Sequence, residues 1–316
     1  MSISIVHRVA IGKYRSVVAG HLFLLGCALG TACSDGDASA PGGAASGDRL
    51  PIVATTSIWG DVTRALACED SAATDVAVLI PAGGDPHAFE ASLRDRETIE
   101  ESALVVMNGA DLEPSLDDMI TGAERASTPV FRATDHISLI DGDPHVWMDP
   151  TRVRAALPAL ANALVAAGLD AATVERCRAG YDAELVALDE EITDVLSTLT
   201  PVQRQLVTSH EALAYFAERY GFSVVGAVIP GGSTLGETNP AELDELARLV
   251  EQTGVRAVFA EEQHSAEDIE VLAAEVGDIE VITLFTDALG EAGTGAETYI
   301  GLLRTDAQLI ADGLGG

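Results

Sequence analysis

Residues 172–199, ATVERCRAGYDAELVALDEEITDVLSTL, contain no proline and a single glycine, Gly180. Tyr181, Leu185, Leu188, Ile192 and Leu196 recur every three or four positions, the spacing that gathers apolar side chains on one face of a helix. A helix of this length spans about 38 Å, the width of a small domain. On either side the pattern changes to short apolar runs alternating with helical periodicity. Before it, residues 52–55, 76–80, 103–107 and 130–131 read as strands, and residues 58–66, 93–101 and 116–124 as helices. A further helix opens at Asp149-Pro150, with Asp as N-cap and Pro in the first turn, and carries Val153, Leu157, Leu160 and Leu164. Pro158 falls inside that pattern and predicts a kink. After it, strands are expected at 206–208, 224–229, 255–260 and 281–285, with helices at 212–219, 241–253, 266–276 and 297–310. Such alternation predicts an α/β fold: two lobes, each a roughly four-stranded, mostly parallel sheet with flanking helices, joined by one long rigid helix. The expected boundaries are 50–171 for the N-terminal lobe, 172–199 for the connecting helix and 200–316 for the C-terminal lobe.

The chain has 316 residues, 47% of them hydrophobic, enough to bury a real core. Its 18 Lys plus Arg stand against 50 Asp plus Glu, for a net charge of −32. Nucleic acid is therefore excluded as the main partner, since phosphate binding needs a basic face. Net charge of this size speaks to solubility and steering rather than to a particular chemistry.

Arg8, Lys13 and Arg15 precede an uncharged stretch, 16–32, with Leu22, Leu24 and Leu25 near its centre and Gly30, Thr31 and Ala32 at its end. Residues 1–32 read as a secretory signal peptide, too short and too broken by glycine for a membrane span. Cys33, directly after the small residues, reads as a lipid-bearing cysteine. The competing position, Cys27, has the usual Leu three residues before it but does not end the apolar run. Residues 33–49, rich in Ser, Gly, Ala and Asp, form a flexible tether. Export leaves Cys68 and Cys177, which can pair in an oxidising compartment or stay as separate buried thiols. A bridge would close a loop of about 110 residues, worth roughly 4–5 kcal/mol in the chain-entropy view.

Five histidines lie beyond the leader: His87, His136, His145, His210 and His264. His87 ends the loop Pro81-Ala82-Gly83-Gly84-Asp85-Pro86-His87 after a strand. His145 sits in Asp143-Pro144-His145-Val146-Trp147-Met148-Asp149-Pro150, just before a helix. His210 follows the strand at 206–208, and Asp287 the strand at 281–285. In open α/β sheets ligands bind outside the carboxyl ends of strands, where three of these four residues stand. Imidazole nitrogen and carboxylate oxygen suit zinc, which in a closed site takes four ligands. Singly, each residue has a plainer role as a surface histidine or a helix cap, and spacing alone does not join positions 200 residues apart. His136 and His264 read as solvated loop residues, the Gly231-Gly232 pair as a turn, and Trp147 as packing beside His145.

The segments Gly84-Asp85-Pro86-His87, Asp143 to Pro150, Thr208-Ser209-His210-Glu211-Ala212-Leu213-Ala214-Tyr215-Phe216 and Thr286-Asp287-Ala288-Leu289-Gly290 resemble the cluster A-I metal-binding lipoproteins. These are the zinc and manganese substrate-binding proteins of bacterial ABC importers. Asn108-Gly109-Ala110-Asp111-Leu112-Glu113 and Phe259-Ala260-Glu261 are also similar, and the likeness runs from about residue 50 to 314. The resemblance implies two α/β lobes bridged by a rigid helix, with His87, His145, His210 and Asp287 converging in the cleft between them. It implies one Zn2+ carried as transported ligand, an ABC permease and its ATPase as partners, and no catalysis. It also implies a monomer held by lipid at the outer face of the cell membrane. Manganese-specific members commonly have a carboxylate where this chain has His210, so three imidazoles and one carboxylate favour zinc. Manganese is the alternative within the family. The His- and acid-rich loop of many zinc-specific relatives is missing here: residues 135–142 contain only His136. A secreted zinc hydrolase is the other alternative, with Glu211 as base; no His-Glu-x-x-His or Gly-x-Ser-x-Gly accompanies it.

Overall fold

The strands of this chain are apolar on both faces, and the architecture follows from that. In the computed structural model, which describes residues 49–315 apart from 69–72, 237, 264 and 278, eight strands form two separate sheets. The first contains β1 (Leu50–Thr56), β2 (Thr74–Ile80), β3 (Leu104–Met107) and β4 (Val130–Arg132), in the order β2-β1-β3-β4. The second contains β5 (Gln205–His210), β6 (Ser223–Ile229), β7 (Ala257–Glu261) and β8 (Glu280–Leu284), in the order β6-β5-β7-β8. Every pairing is parallel. Parallel strands need crossovers, and helices supply them, so both faces are covered.

Successive side chains of a strand point to opposite faces. In β1 and β3, Ile52, Ala54, Leu104 and Val106 face a central core, while Val53, Val105 and Met107 face an outer one. The outer core is roofed by α2 (Leu93–Glu100) and α3 (Asp117–Arg125) through Ile99 and Ile120. In the second sheet Val207, Val228 and Val258 pack under α7 (Pro240–Thr253) and α8 (Glu267–Val276).

The central core runs through both lobes. It takes Trp59 and Val62 from α1 (Ser57–Leu66), Leu157 and Leu160 from α4 (Pro150–Ala167), and Leu185, Leu188 and Ile192 from α5 (Ala171–Leu196). Phe216 of α6 (Ala214–Tyr220), Phe259 of β7, and Leu302 and Ile310 of α9 (Tyr299–Gly315) complete it. The long helix is thus α5, capped by Asp170, whose side chain accepts from Thr173 N. It lies against α9, where Arg304 pairs with Glu191 at 2.8 Å. Cys68, just past α1, is bonded to Cys177 of α5, with Cα atoms 5.4 Å apart. Asp149 caps α4 as its sequence position predicts, accepting from Thr151 N at 2.8 Å. α4 continues unbroken through Pro158, which lies on its exposed side.

Among the described residues no helix is long and apolar enough to cross a membrane. The signal peptide, the tether up to residue 48, and the cysteines at 27 and 33 lie outside the described residues.

Candidate metal centre

The tripeptide Asp-Pro-His occurs twice, and both copies fold alike. Asp85 Oδ1 accepts the backbone N–H of His87 at 2.8 Å; Asp143 Oδ1 accepts that of His145 at 2.9 Å. An Asp that bonds the backbone two residues on makes its own turn, and the intervening proline fixes φ within it. Asp143 Oδ1 also lies 2.7 Å from His145 Nδ1, which sets that ring's orientation. The backbone carbonyl of Pro144 is held by Asn108 Nδ2 at 2.9 Å, and Asn108 by the buried Glu113, which accepts from its N–H at 3.0 Å.

His210 is the last residue of β5, so that strand extends two residues beyond its apolar run and pairs His210 with Ile229. Its backbone N–H and its Nδ1 both go to Glu261, the last residue of β7. β5 and β7 are the neighbours between which the strand order of the second sheet reverses, the place where open α/β sheets hold ligands. Asp287 lies in the loop after β8. That loop is tied down by Trp147 Nε1 to Thr286 O (2.6 Å), by Gln263 Nε2 to Thr286 Oγ1 (2.7 Å) and by Phe285 N to Asp306 Oδ1 (3.0 Å).

The structure brings His87, His145, His210 and Asp287 together, with one ligand atom from each inside a 4.8 Å span. All four are at most 3% exposed. His145 Nε2 lies 3.4 Å from His87 Nε2 and 3.2 Å from His210 Nε2. Asp287 Oδ1 is 3.5 Å from His145 Nε2, and its Oδ2 is 3.5 Å from His210 Nε2 and 3.8 Å from His87 Nε2. Neither oxygen of Asp287 has a hydrogen-bond partner among the described residues. A tetrahedral zinc with arms of about 2.0–2.1 Å has edges of about 3.3–3.4 Å, so these separations match such a shell.

The electrostatics divide the histidines. Burial first, and then the electrostatic influence of His145 and His210, pushes His87 down to about 3. Burial also opposes a charge on His210, but the Asp287 charge and the Glu261 hydrogen bond prevail and raise it to about 9. Burial raises Asp287, against the pull of His210 and His145. His87 is thus a neutral donor, and His210 carries a proton that a cation bound at its Nε2 would have to displace.

Other sequence expectations resolve elsewhere. His136 stacks on Phe131 with ring centroids 5.1 Å apart, outside the cluster, and His264 lies outside the described residues. Glu211 is exposed and accepts from Gly231 N at 3.0 Å, holding the glycine turn rather than facing the cluster. Trp147 packs edge-on against His145, centroids 5.3 Å apart. The roles of Asp85, Asp143 and Glu261 were not assigned from sequence. The repeated Asp two positions before His, and an acid closing a buried strand, are the signals that carry them.

A sequence model described as "ZnuA: Zinc-uptake complex component A periplasmic" matches residues 52–313. The zinc-binding protein TroA of Treponema pallidum is 30% identical over 287 residues, covering 85% of this chain and 91% of that one. The manganese-binding lipoprotein MntA of Halalkalibacterium halodurans is 29% identical over 273 residues, covering 85% and 89%. Among solved structures, the periplasmic zinc-binding protein TroA from Treponema pallidum superposes with a TM-score of 0.77 at 27% identity, over 84% of this chain and 99% of that one. With fold, motifs and residues 52–313 in agreement, the protein belongs to the zinc-uptake complex component A family, the cluster A-I metal-binding substrate-binding proteins.

Proposed function

We propose that this chain is the extracytoplasmic component of an ABC metal importer, binding one Zn2+ between its lobes and handing it to the membrane permease, which its ATPase drives. His87, His145, His210 and Asp287 are the ligands. The carrying observation is the set of N···N and N···O separations, 3.2–3.8 Å, which suits four donors around one small ion. Four buried side-chain donors complete a tetrahedral shell, and that favours carriage over hydrolysis, which needs an open position for water. The names of the relatives support import, since they include a zinc-binding protein and manganese-binding lipoproteins. Lipid on Cys33 would hold the monomer at the outer face of the membrane, and mass spectrometry of the native N-terminus tests that anchor.

Manganese is the second reading, favoured by one observation. Both Asp287 oxygens face imidazole nitrogens and neither is held by a protein donor. Binding through both oxygens would raise the coordination number, which manganese prefers. Equilibrium competition between zinc and manganese on the purified chain decides. Zinc bound more tightly, at one ion per chain, is the expected result; equal affinities would favour manganese as the physiological cargo.

A further inference from the structure

The two lobes meet at the metal centre on two sides, and the sides are built differently. On the Asp287 side the contact includes main chain: Gly83 N donates to Leu289 O at 2.9 Å, and Leu289 N to Ser57 Oγ at 3.0 Å. On the other side lies residues 230–236, which leave β6 and cross back over the site. A side chain at Gly232 would stand 3.6 Å from Pro144 and 3.7 Å from His145 Cε1, so this segment covers the edge of the His145 ring. Two residues on, Thr234 Oγ1 donates to Asp85 Oδ2 of the opposite lobe at 2.7 Å. Asp85 uses its other oxygen to hold the backbone N–H of His87. One carboxylate therefore fixes a ligand's loop and grips the covering segment together.

Behind that segment is a cavity of about 480 Å³, lined in part by Thr234, Gly236, Ile229 and Ser209. Ser209 is only 4% exposed, and its hydroxyl has no hydrogen-bond partner among the described residues. A buried hydroxyl left unmatched is unfavourable and calls for an explanation. Ser209 precedes His210 on β5 and, by strand alternation, faces away from the metal ligands.

We propose that Thr234 is a two-position bolt governing metal exchange: its hydroxyl bonds Asp85 when the site is closed and turns across the cavity to Ser209 when the segment 230–236 swings away. The bolt rests on the carrier reading above. It explains both the cavity and the unmatched hydroxyl, because Ser209 finds its partner only in the second position. Asp85, Thr234 and Ser209 are positioning residues on this account, since none supplies a metal ligand. An equilibrium between two such states is biased only by what differs between them.

That requirement gives conservative substitutions opposite signs. Thr234→Val keeps the shape and removes the bond to Asp85, so the closed state weakens. A bond to a charged group is lost, and zinc release into excess chelator should speed up about tenfold. Thr234→Ser should restore the wild-type rate. Ser209→Ala removes the second partner and also the unmatched hydroxyl of the closed state, so release should slow several-fold and affinity rise. Stopped-flow release from the zinc-loaded full chain reads these rates, and the visible spectrum of the cobalt-loaded chain reports whether the ligand set is intact. Simple packing damage would move both variants towards faster release. Normal stoichiometry with Thr234→Val releasing at the wild-type rate, or with Ser209→Ala releasing no more slowly than wild type, overturns the bolt alone. A wild-type chain that binds no stoichiometric metal overturns the carrier reading and the bolt with it.

Discussion

His210 gives two hydrogens to one carboxylate: its backbone N–H reaches Glu261 Oε1 at 3.0 Å, and its ring Nδ1–H donates to Oε2 of the same side chain. With Nδ1 engaged, Nε2 is left facing His145 and Asp287. A buried carboxylate in this position fixes the tautomer and the ring plane and makes the imidazole a stronger donor.

Glu261→Gln should therefore weaken zinc binding about 10- to 100-fold while leaving all four ligands in place. A chelator competition titration measures it. Affinity equal to wild type would show that His210 needs no support from β7.

Zinc affinity should rise with pH. His210, held protonated up to about 9, must lose its Nε2 proton to bind. Below that pKa each unit of pH should strengthen binding about tenfold, with about one proton released per ion, and above it the curve should flatten. His87, already neutral above about 3, adds nothing to this slope near neutrality. For the metal-free protein the sign reverses. The raised pKa of His210 contributes stability that is complete below its ordinary value near 6.5 and lost as pH climbs through 9. Calorimetry in buffers of different ionisation enthalpy counts the protons.

His210→Glu should narrow the preference for zinc over manganese, because it adds an oxygen donor and a negative charge. His210→Ala should weaken zinc without improving manganese. Competition binding with both ions reads the ratio, and a ratio unmoved by the Glu substitution would count against His210 as the discriminating ligand.

Replacing Cys68 and Cys177 together by Ser should lower stability by about 4–5 kcal/mol in the chain-entropy view, given a sequence separation of 109. Metal stoichiometry should be unchanged, since no member of the metal cluster is a cysteine. Denaturant unfolding of the metal-free chain compares the two.

The fold was largely legible because its strands are short, apolar and punctuated, and its helices carry their own caps. Asp149 caps α4 as its sequence position predicts, whereas α5, expected over 172–199, runs from Ala171 to Leu196 with Asp170 as its cap. β5 was read as ending at Thr208 because Ser209 and His210 carry no apolar signal; their strand conformation comes from pairing with β6, a tertiary fact. α6 was expected from 212 but starts at Ala214, after His210 O has accepted the N–H of Ala212 in a turn. The four clustered residues were legible through their motifs. Their supports were not, because Thr234 and Asp85 stand 149 positions apart and meet only once both lobes are folded.

Trp147 turns the packing around His145 into a gauge. The chain has two tryptophans, and they report on different places. Trp59 packs edge-on against Phe131 and donates to Asn108, within the N-terminal lobe. Trp147 touches the His145 ring, donates to Thr286 beside Asp287, and has its own carbonyl held by Tyr299. Any change in the charge of His145 or in the seating of the Asp287 loop acts directly on that indole. Its emission should follow occupancy of the centre without an added dye, while Trp59 supplies an internal reference in the same molecule.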